Sequence, residues 1–275
     1  MKTLFIWNFL SLSIALNAQD CNTSLLFKKG AELEYKTYAP KGGLFSKGDF
    51  FEITKLTFTV QDVKDSNNIK YSFITKTGVN PNDAKLKYEK NYVITCDGSK
   101  ILIPLDFYGA DTVYFSNMYS KVTKDKGIYS STIYKGKCIY NFPIDFEKSR
   151  FETTGSKIVM NMKIRDYEMG LTQQNGARGI QNTGLENTGR IVENTYSIDM
   201  NIKKHETKGK EKISTASGTY ECYKIILTTD SEMFGREINT NSILYYNTEV
   251  GFVKSETQQS KSKSGYTELV RVKSN

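Results

Sequence analysis

One histidine, four cysteines and a scatter of carboxylates are the residues of this 275-residue chain whose types best suit covalent or acid–base chemistry. His205 lies in the run Lys203-Lys204-His205-Glu206-Thr207-Lys208. An imidazole can serve as a general base near neutral pH. Among lysines, however, a surface position at a polar strand end or turn is the plainer expectation. A Ser or Cys triad would have to recruit His205, and no GxSxG, HExxH or P-loop motif accompanies it. The acidic residues are dispersed, without the spacing of a metal-ligand cluster. The sequence therefore nominates no catalytic, cofactor-binding or metal-ligating residue, and the expectation is a non-enzymatic protein without a cofactor. The surviving enzymatic alternative is a hydrolase whose fold brings two dispersed carboxylates together, as glycoside hydrolases do.

The cysteines are Cys21, Cys96, Cys138 and Cys222. An even count in an exported chain predicts at least one disulfide, and spacing alone leaves all three connectivities open. No CxxC pair is present, which argues against a redox motif or a zinc knuckle. Cys21 invites comparison with a lipoprotein anchor. The preceding Ala18-Gln19-Asp20 argues against it, because lipid attachment needs a small residue directly before the cysteine.

Export itself is read from residues 1–18. Lys2 supplies a positive start, Leu4 to Leu16 form an apolar run, and Ala18 is a small residue at the cut. The run is too short to span a bilayer comfortably, so a cleaved signal peptide is expected and no transmembrane span. Cleavage after Ala18 leaves 257 of the 275 residues and removes the only tryptophan, Trp7. The expected destination is the periplasm, the outer-membrane side or the exterior.

The net charge is +8, with both signs interleaved. The basic clusters at Lys203-Lys204 and Lys261 to Lys263 are mixed with Ser, Thr or His, and no Arg-rich patch accompanies them. A solvated lysine-rich surface that blunts strand edges explains them, and nucleic acid is not an expected partner.

The elements that would position any site are strands. Ala31, Leu33 and Tyr35 alternate with Glu32, Glu34 and Lys36, the period-two pattern of a half-buried strand. Phe51 and Ile53, then Phe58 and Val60, mark a longer strand whose apolar face switches near Lys55 and Leu56, which requires a bulge. Ile158, Met160, Met162 and Ile164 alternate with polar neighbours, as do Tyr196, Ile198, Met200 and Ile202. In Tyr220 to Thr228, Cys222, Lys224 and Ile226 fall on one face and Tyr223, Ile225 and Leu227 on the other. Turn residues such as Asp65-Ser66-Asn67-Asn68, Asp97-Gly98 and Ser217-Gly218 separate the runs. The best helical stretch is Asp111 to Lys121. Residues 170–190, rich in Gly, Asn, Gln and Thr, lack apolar anchors and read as a flexible loop. The fold class expected is mainly β: one domain over residues 19–275 built as a single curled antiparallel sheet or incomplete barrel.

Gly209 to Ile213 and Thr215 to Ile225 look like a stretch of the TapB-like exported bacterial proteins. Tyr245 to Thr257 and Gly265 to Leu269 are similar to the segments that follow in that family, and Asp20 to Gly30 with Glu34, Tyr35, Lys36 and Tyr38 resemble its opening. Asn247-Thr248-Glu249 stands where the family carries Ala-Pro-Gly, and Ser217 where it carries Ala. The resemblance implies an open barrel of the LolA/LolB lipoprotein-carrier type, holding acyl chains in an apolar concavity, and an association with an outer-membrane secretion system. It brings no catalytic residues.

Two non-enzymatic functions are therefore expected. One is a carrier whose concave face takes an apolar or lipid-like ligand, with Met160, Met162, Met200 and Ile202 as plausible lining residues. The other is an interaction module with a filled core that binds an envelope protein through a sheet edge or loops.

Overall fold

The computed structural model describes residues 21–40, 49–81, 83–108, 128–135, 139–147, 150–154, 157–176, 179–233, 236–259 and 262–274. The signal peptide, Asp111 to Lys121 and Cys138 lie outside them.

Among the described residues, fourteen strands form one sheet. In chain order they are β1 (Glu32–Pro40), β2 (Phe50–Ser66), β3 (Ile69–Asn80), β4 (Asp83–Cys96), β5 (Lys100–Pro104), β6 (Ile128–Lys135) and β7 (Ile139–Pro143). They continue with β8 (Glu152–Thr154), β9 (Lys157–Gly176), β10 (Gly179–Thr215), β11 (Gly218–Met233), β12 (Arg236–Asn247), β13 (Gly251–Gln259) and β14 (Ser262–Lys273). The spatial order is β6-β9-β10-β11-β12-β13-β14-β1-β2-β3-β4-β5-β7-β8. Every neighbouring pair is antiparallel. The sheet curls into a half-barrel, as the alternating runs and frequent turns predicted.

Alternation sets the inner face. Leu33 and Tyr35 of β1, Leu56, Phe58 and Val60 of β2, Ile74 of β3 and Ile94 of β4 are all buried. The bulge expected in β2 exists slightly upstream of its predicted place. Thr37 pairs with Thr54 and Tyr38 with Glu52, so Ile53 is skipped, and Phe51 is left exposed while Thr54, Leu56 and Phe58 point inward. In β11 the two expected faces merge. Cys222 is buried as well as Ile225 and Leu227 of the other expected face. Gly78 is required by contact: a Cβ there would sit 2.1 Å from the Tyr88 ring.

The floor of the half-barrel is closed by the chain's start. A 3-10 turn, Leu25–Phe27, is capped by Ser24 and buries all three of its side chains. It is held to the β12–β13 turn by Leu25 N donating to Glu249 O at 2.7 Å. A disulfide joins Cys21 to Cys96 at the end of β4, which fulfils the expectation that one would form and selects its partners. Cys222 is a free, buried thiol.

The segment expected to be a loop needs correction. Residues 170–176 and 179–190 lie in β9 and β10 and pair with each other, Gly179 with Gly176 and Leu185 with Leu171. Backbone hydrogen bonds order what the side chains could not. Register shifts between Asn182 and Leu185 and between Asn187 and Ile191 take up the irregular Gly and Asn positions. β11 meets β10 only from Ile198 onward, so the hairpin projects beyond the rest of the sheet as a two-stranded ribbon.

Candidate functional site

Aromatic rings fill most of the concavity among the described residues. Tyr35 meets Phe58 edge-on at 5.3 Å and donates a hydrogen bond to Phe252 O at 2.8 Å. Phe142 of β7 reaches across to stack on Tyr246 of β12 at 4.1 Å, and Phe146 stacks on Tyr223 at 4.0 Å. These contacts draw the β5–β7–β8 end of the sheet over the inner face of β11 and β12. Offset and edge-on ring pairs of this kind each contribute about 0.5–1.5 kcal/mol beyond their buried area.

Among the described residues a partly open hollow of about 190 Å³ lies beside this packing. Its apolar walls include Leu105, Tyr108, Phe142, Leu227, Leu244 and Phe252, and Thr229, Ser242, Ser255 and Thr257 add hydroxyls. Five separate stretches of chain supply these walls. An apolar lining with a few polar atoms is the usual make-up of a small-molecule site. The volume is close to that of a cavity of roughly 150 Å³ that admits benzene, and below the roughly 300–1,000 Å³ of sites for drug-sized ligands. It suits one ring or the end of an acyl chain.

Tyr108 is the polar handle of this hollow. Its ring stacks on Phe252 at 4.6 Å and meets Phe107 edge-on at 4.8 Å. Its buried hydroxyl makes no well-formed hydrogen bond among the described residues. The Phe252 backbone N–H beside it partly offsets the effect of burial on the phenol, while the Phe252 carbonyl accepts from Tyr35. Burial pushes the Tyr108 phenol well above its ordinary value, so it stays a neutral donor. Burial likewise pushes Tyr140 up to about 12. A buried donor left unmade costs about 1–3 kcal/mol, which an occupant carrying an acceptor would recover.

Lys76 is fully buried below this region. Its ammonium donates to Asp106 O at 3.2 Å and lies 5.9 Å from the ring centres of Phe58, Tyr88 and Tyr92. The Asp106 carboxylate accepts from Lys90 and, at 3.1 Å, from Tyr92 Oη. This network clamps the end of β5, and with it Leu105 and Tyr108, onto β3 and β4. The inward lysine breaks the apolar alternation of its strand, so period two does not reveal it.

The residues weighed from sequence fall elsewhere. His205 pairs opposite Leu227 in the β10–β11 ladder, is exposed, and meets only the Phe151 ring edge-on at 5.6 Å in the contacts of its side chain. Burial pushes the Cys222 thiol up to about 12, assisted by Glu221, so it is a poor nucleophile. Among the described residues no three His, Cys, Asp or Glu side chains gather into a group able to hold a metal. No described helix is long and apolar enough to cross a membrane. The backbone of Met160, Met162, Met200 and Ile202 is placed in β9 and β10, where Met160 pairs with Ile198 and Met162 with Tyr196. Their side chains lie outside the described set. With its sulfur bonded to Cys96, Cys21 has no thiol to acylate.

A family model described as DUF3108-like matches residues 108–269. The chain belongs to the DUF3108-like family. That span holds every residue lining the hollow except Leu105. Two solved structures share the fold. One is a Bacteroides fragilis chain described as an exported protein with a YmcC-like fold, with a TM-score of 0.52 and 13% identity, covering 90% of this chain and 96% of that one. The other, from Parabacteroides distasonis, is described as a lipoprotein; its TM-score is 0.55 and its identity 15%, with the same coverage of 90% and 96%. No curated protein matches the chain.

Proposed function

We propose that this DUF3108-like protein is an exported, non-enzymatic binding protein of the bacterial envelope whose half-barrel takes one apolar group, an acyl-chain end or a single ring, from a lipid-like ligand. The observation that carries the reading is the apolar hollow among Tyr108, Phe142, Leu227, Leu244 and Phe252. The leader-like residues 1–18, the exported and lipoprotein descriptions of the two structural neighbours, and the resemblance to TapB-like and LolA/LolB-type proteins support an envelope setting. Binding here is partial: the ring-filled core leaves room for one group and not for a whole lipid.

The same filled core favours a second reading, an interaction module that binds an envelope protein through the projecting β9–β10 ribbon. Native mass spectrometry of the protein purified from its own envelope separates the two. A co-purifying mass of a few hundred daltons supports the first reading, and a stoichiometric protein partner with an empty core supports the second.

A further inference from the structure

The inner face changes character within one step along its strands. Leu269 of β14, Tyr35 of β1, Leu56 of β2 and, beyond Gly78 of β3, Tyr88 of β4 lie in one cross-strand register. All four side chains are buried. Two residues further along the strands, roughly 7 Å, the register is Thr267, Thr37 and Thr54. The pairing does not shift between the two rows, so alternation keeps these threonines on the face of Leu269, Tyr35 and Leu56. On β13 the second row continues with Ser255, opposite Thr267. Ser255 is also a wall of the apolar hollow, as are Ser242 and Thr257, which pair with each other. A band of hydroxyls therefore borders the apolar row and runs from the hollow across to β2.

Two features of this band point to an occupant. Thr54 is only 4% exposed, and its hydroxyl has no hydrogen-bond partner among the described residues. Buried hydroxyls in native structures are nearly always paired. Beside it, Thr37 and Thr267 bond to each other at 3.0 Å, which uses one of their two donors and leaves lone pairs on both oxygens. The second feature is the placement of charge. The charged residues that alternate with the band, Lys36, Lys55, Lys254 and Glu268, belong to the opposite face. There Lys36 pairs with Glu52 at 2.7 Å, Lys55 with Glu34 at 3.0 Å and Lys254 with Glu256 at 2.9 Å. An ionised head laid on the band would lose water and gain no opposite charge from it, whereas a hydroxylated head exchanges water for donors and acceptors.

We propose that this band selects an uncharged, hydroxylated head on a single-chain amphiphile, the glycerol of a monoacylglycerol or the sugar of an alkyl glycoside. The proposal rests on the reading of the hollow as the seat of the chain's end. It adds the pose: chain end among Leu227, Leu244 and Phe252, head along Ser255, Thr267, Thr37 and Thr54.

The test is isothermal titration calorimetry of the mature protein with 1-octanoylglycerol, octyl glucoside and octanoate at pH 8, each below its critical micelle concentration. The three share an eight-carbon chain, and only octanoate has an ionised head. At least one neutral ligand should bind about tenfold or more tighter than octanoate, and the tighter of the two identifies the head. Thr267→Val and Thr54→Val should each weaken that ligand about fivefold, the loss of one hydrogen bond, and leave octanoate unaffected. Thr54→Val should also leave the melting temperature unchanged or raised, since it removes a buried hydroxyl without a partner. Octanoate binding as tightly as both neutral ligands would overturn this proposal and leave the hollow's reading standing. No binding of any of the three would overturn both. Unaltered affinity for the neutral ligands in both valine variants would overturn the pose, as would a sharp fall in melting temperature in Thr54→Val, which would mean that the hydroxyl is committed within the protein.

Discussion

Removing the Cys21–Cys96 bridge is the perturbation whose size the structure sets most directly. The bridge closes a loop of sequence separation 75 and fastens the chain's start to the end of β4. In the chain-entropy account a loop of that length stabilises the fold by about 4 kcal/mol at 25 °C. For a chain of this size each kcal/mol moves the melting temperature by roughly 2–4 °C, so the double replacement Cys21→Ala, Cys96→Ala should lower it by about 10–15 °C. Leu25, Leu26 and Phe27 would then be held by packing, by the Leu25 N to Glu249 O hydrogen bond and, just downstream, by Gly30 N donating to Val60 O. The assay is thermal unfolding followed by circular dichroism on the mature protein, with and without dithiothreitol. Reductant should lower the wild-type midpoint by a similar amount and leave the double variant unmoved. A shift below about 3 °C would refute the reasoning, since it corresponds to roughly 1 kcal/mol. Peptide mapping that pairs Cys21 with Cys138, or finds a lipid on Cys21, would refute it at the level of connectivity.

Three other outcomes follow from single features. Cleavage after Ala18 removes Trp7, so the mature chain should begin at Gln19 by intact mass and show no indole emission. Gly78→Val should cost about 1–3 kcal/mol in denaturant unfolding, because the new side chain displaces the Tyr88 ring. The Arg271 guanidinium hydrogen-bonded to Glu34 holds its carboxyl below the usual value, against burial and with help from Lys55 at 3.0 Å. A depressed folded-state value means this stability is complete above about pH 4.5 and is lost as pH falls through the folded value. Glu34→Gln should therefore flatten the acid limb of the stability curve below pH 4.5 and leave its shape near pH 7 unchanged.

The ribbon tests a different link. Residues 170–190 pair only within the β9–β10 hairpin, and an isolated two-stranded hairpin is marginal in water. Limited proteolysis should cut there first, and replacing these residues with a short Gly-containing turn should leave the melting temperature within about 2 °C, since that corresponds to at most about 1 kcal/mol.

The inner face was legible where alternation was clean. Leu33 and Tyr35, Phe58 and Val60, and Ile225 with Leu227 were all assigned from period two and are all buried. Composition misled at residues 170–190, because side chains without apolar content say nothing of backbone hydrogen bonds to a neighbouring strand. The disulfide was foreseen but not its partners, since three pairings are equally compatible with four positions. The hollow left no local trace: Leu105, Phe142, Leu227, Leu244 and Phe252 lie far apart in the chain and meet only when the sheet curls.

The central claim is that the hollow admits an apolar group, and a titration with cis-parinaric acid tests it most directly. The mature chain would carry no tryptophan, so the polyene's emission is read without indole background. Two filling variants, Leu227→Phe and Thr257→Phe, place bulk at two separate points of the lining without adding an indole. The account predicts saturable one-to-one binding to the wild-type protein, and a loss of at least about tenfold in any variant whose melting temperature stays near that of the wild type, which corresponds to about 1.4 kcal/mol. No saturable binding to the folded wild-type protein, or equal affinity in both folded variants, would contradict it.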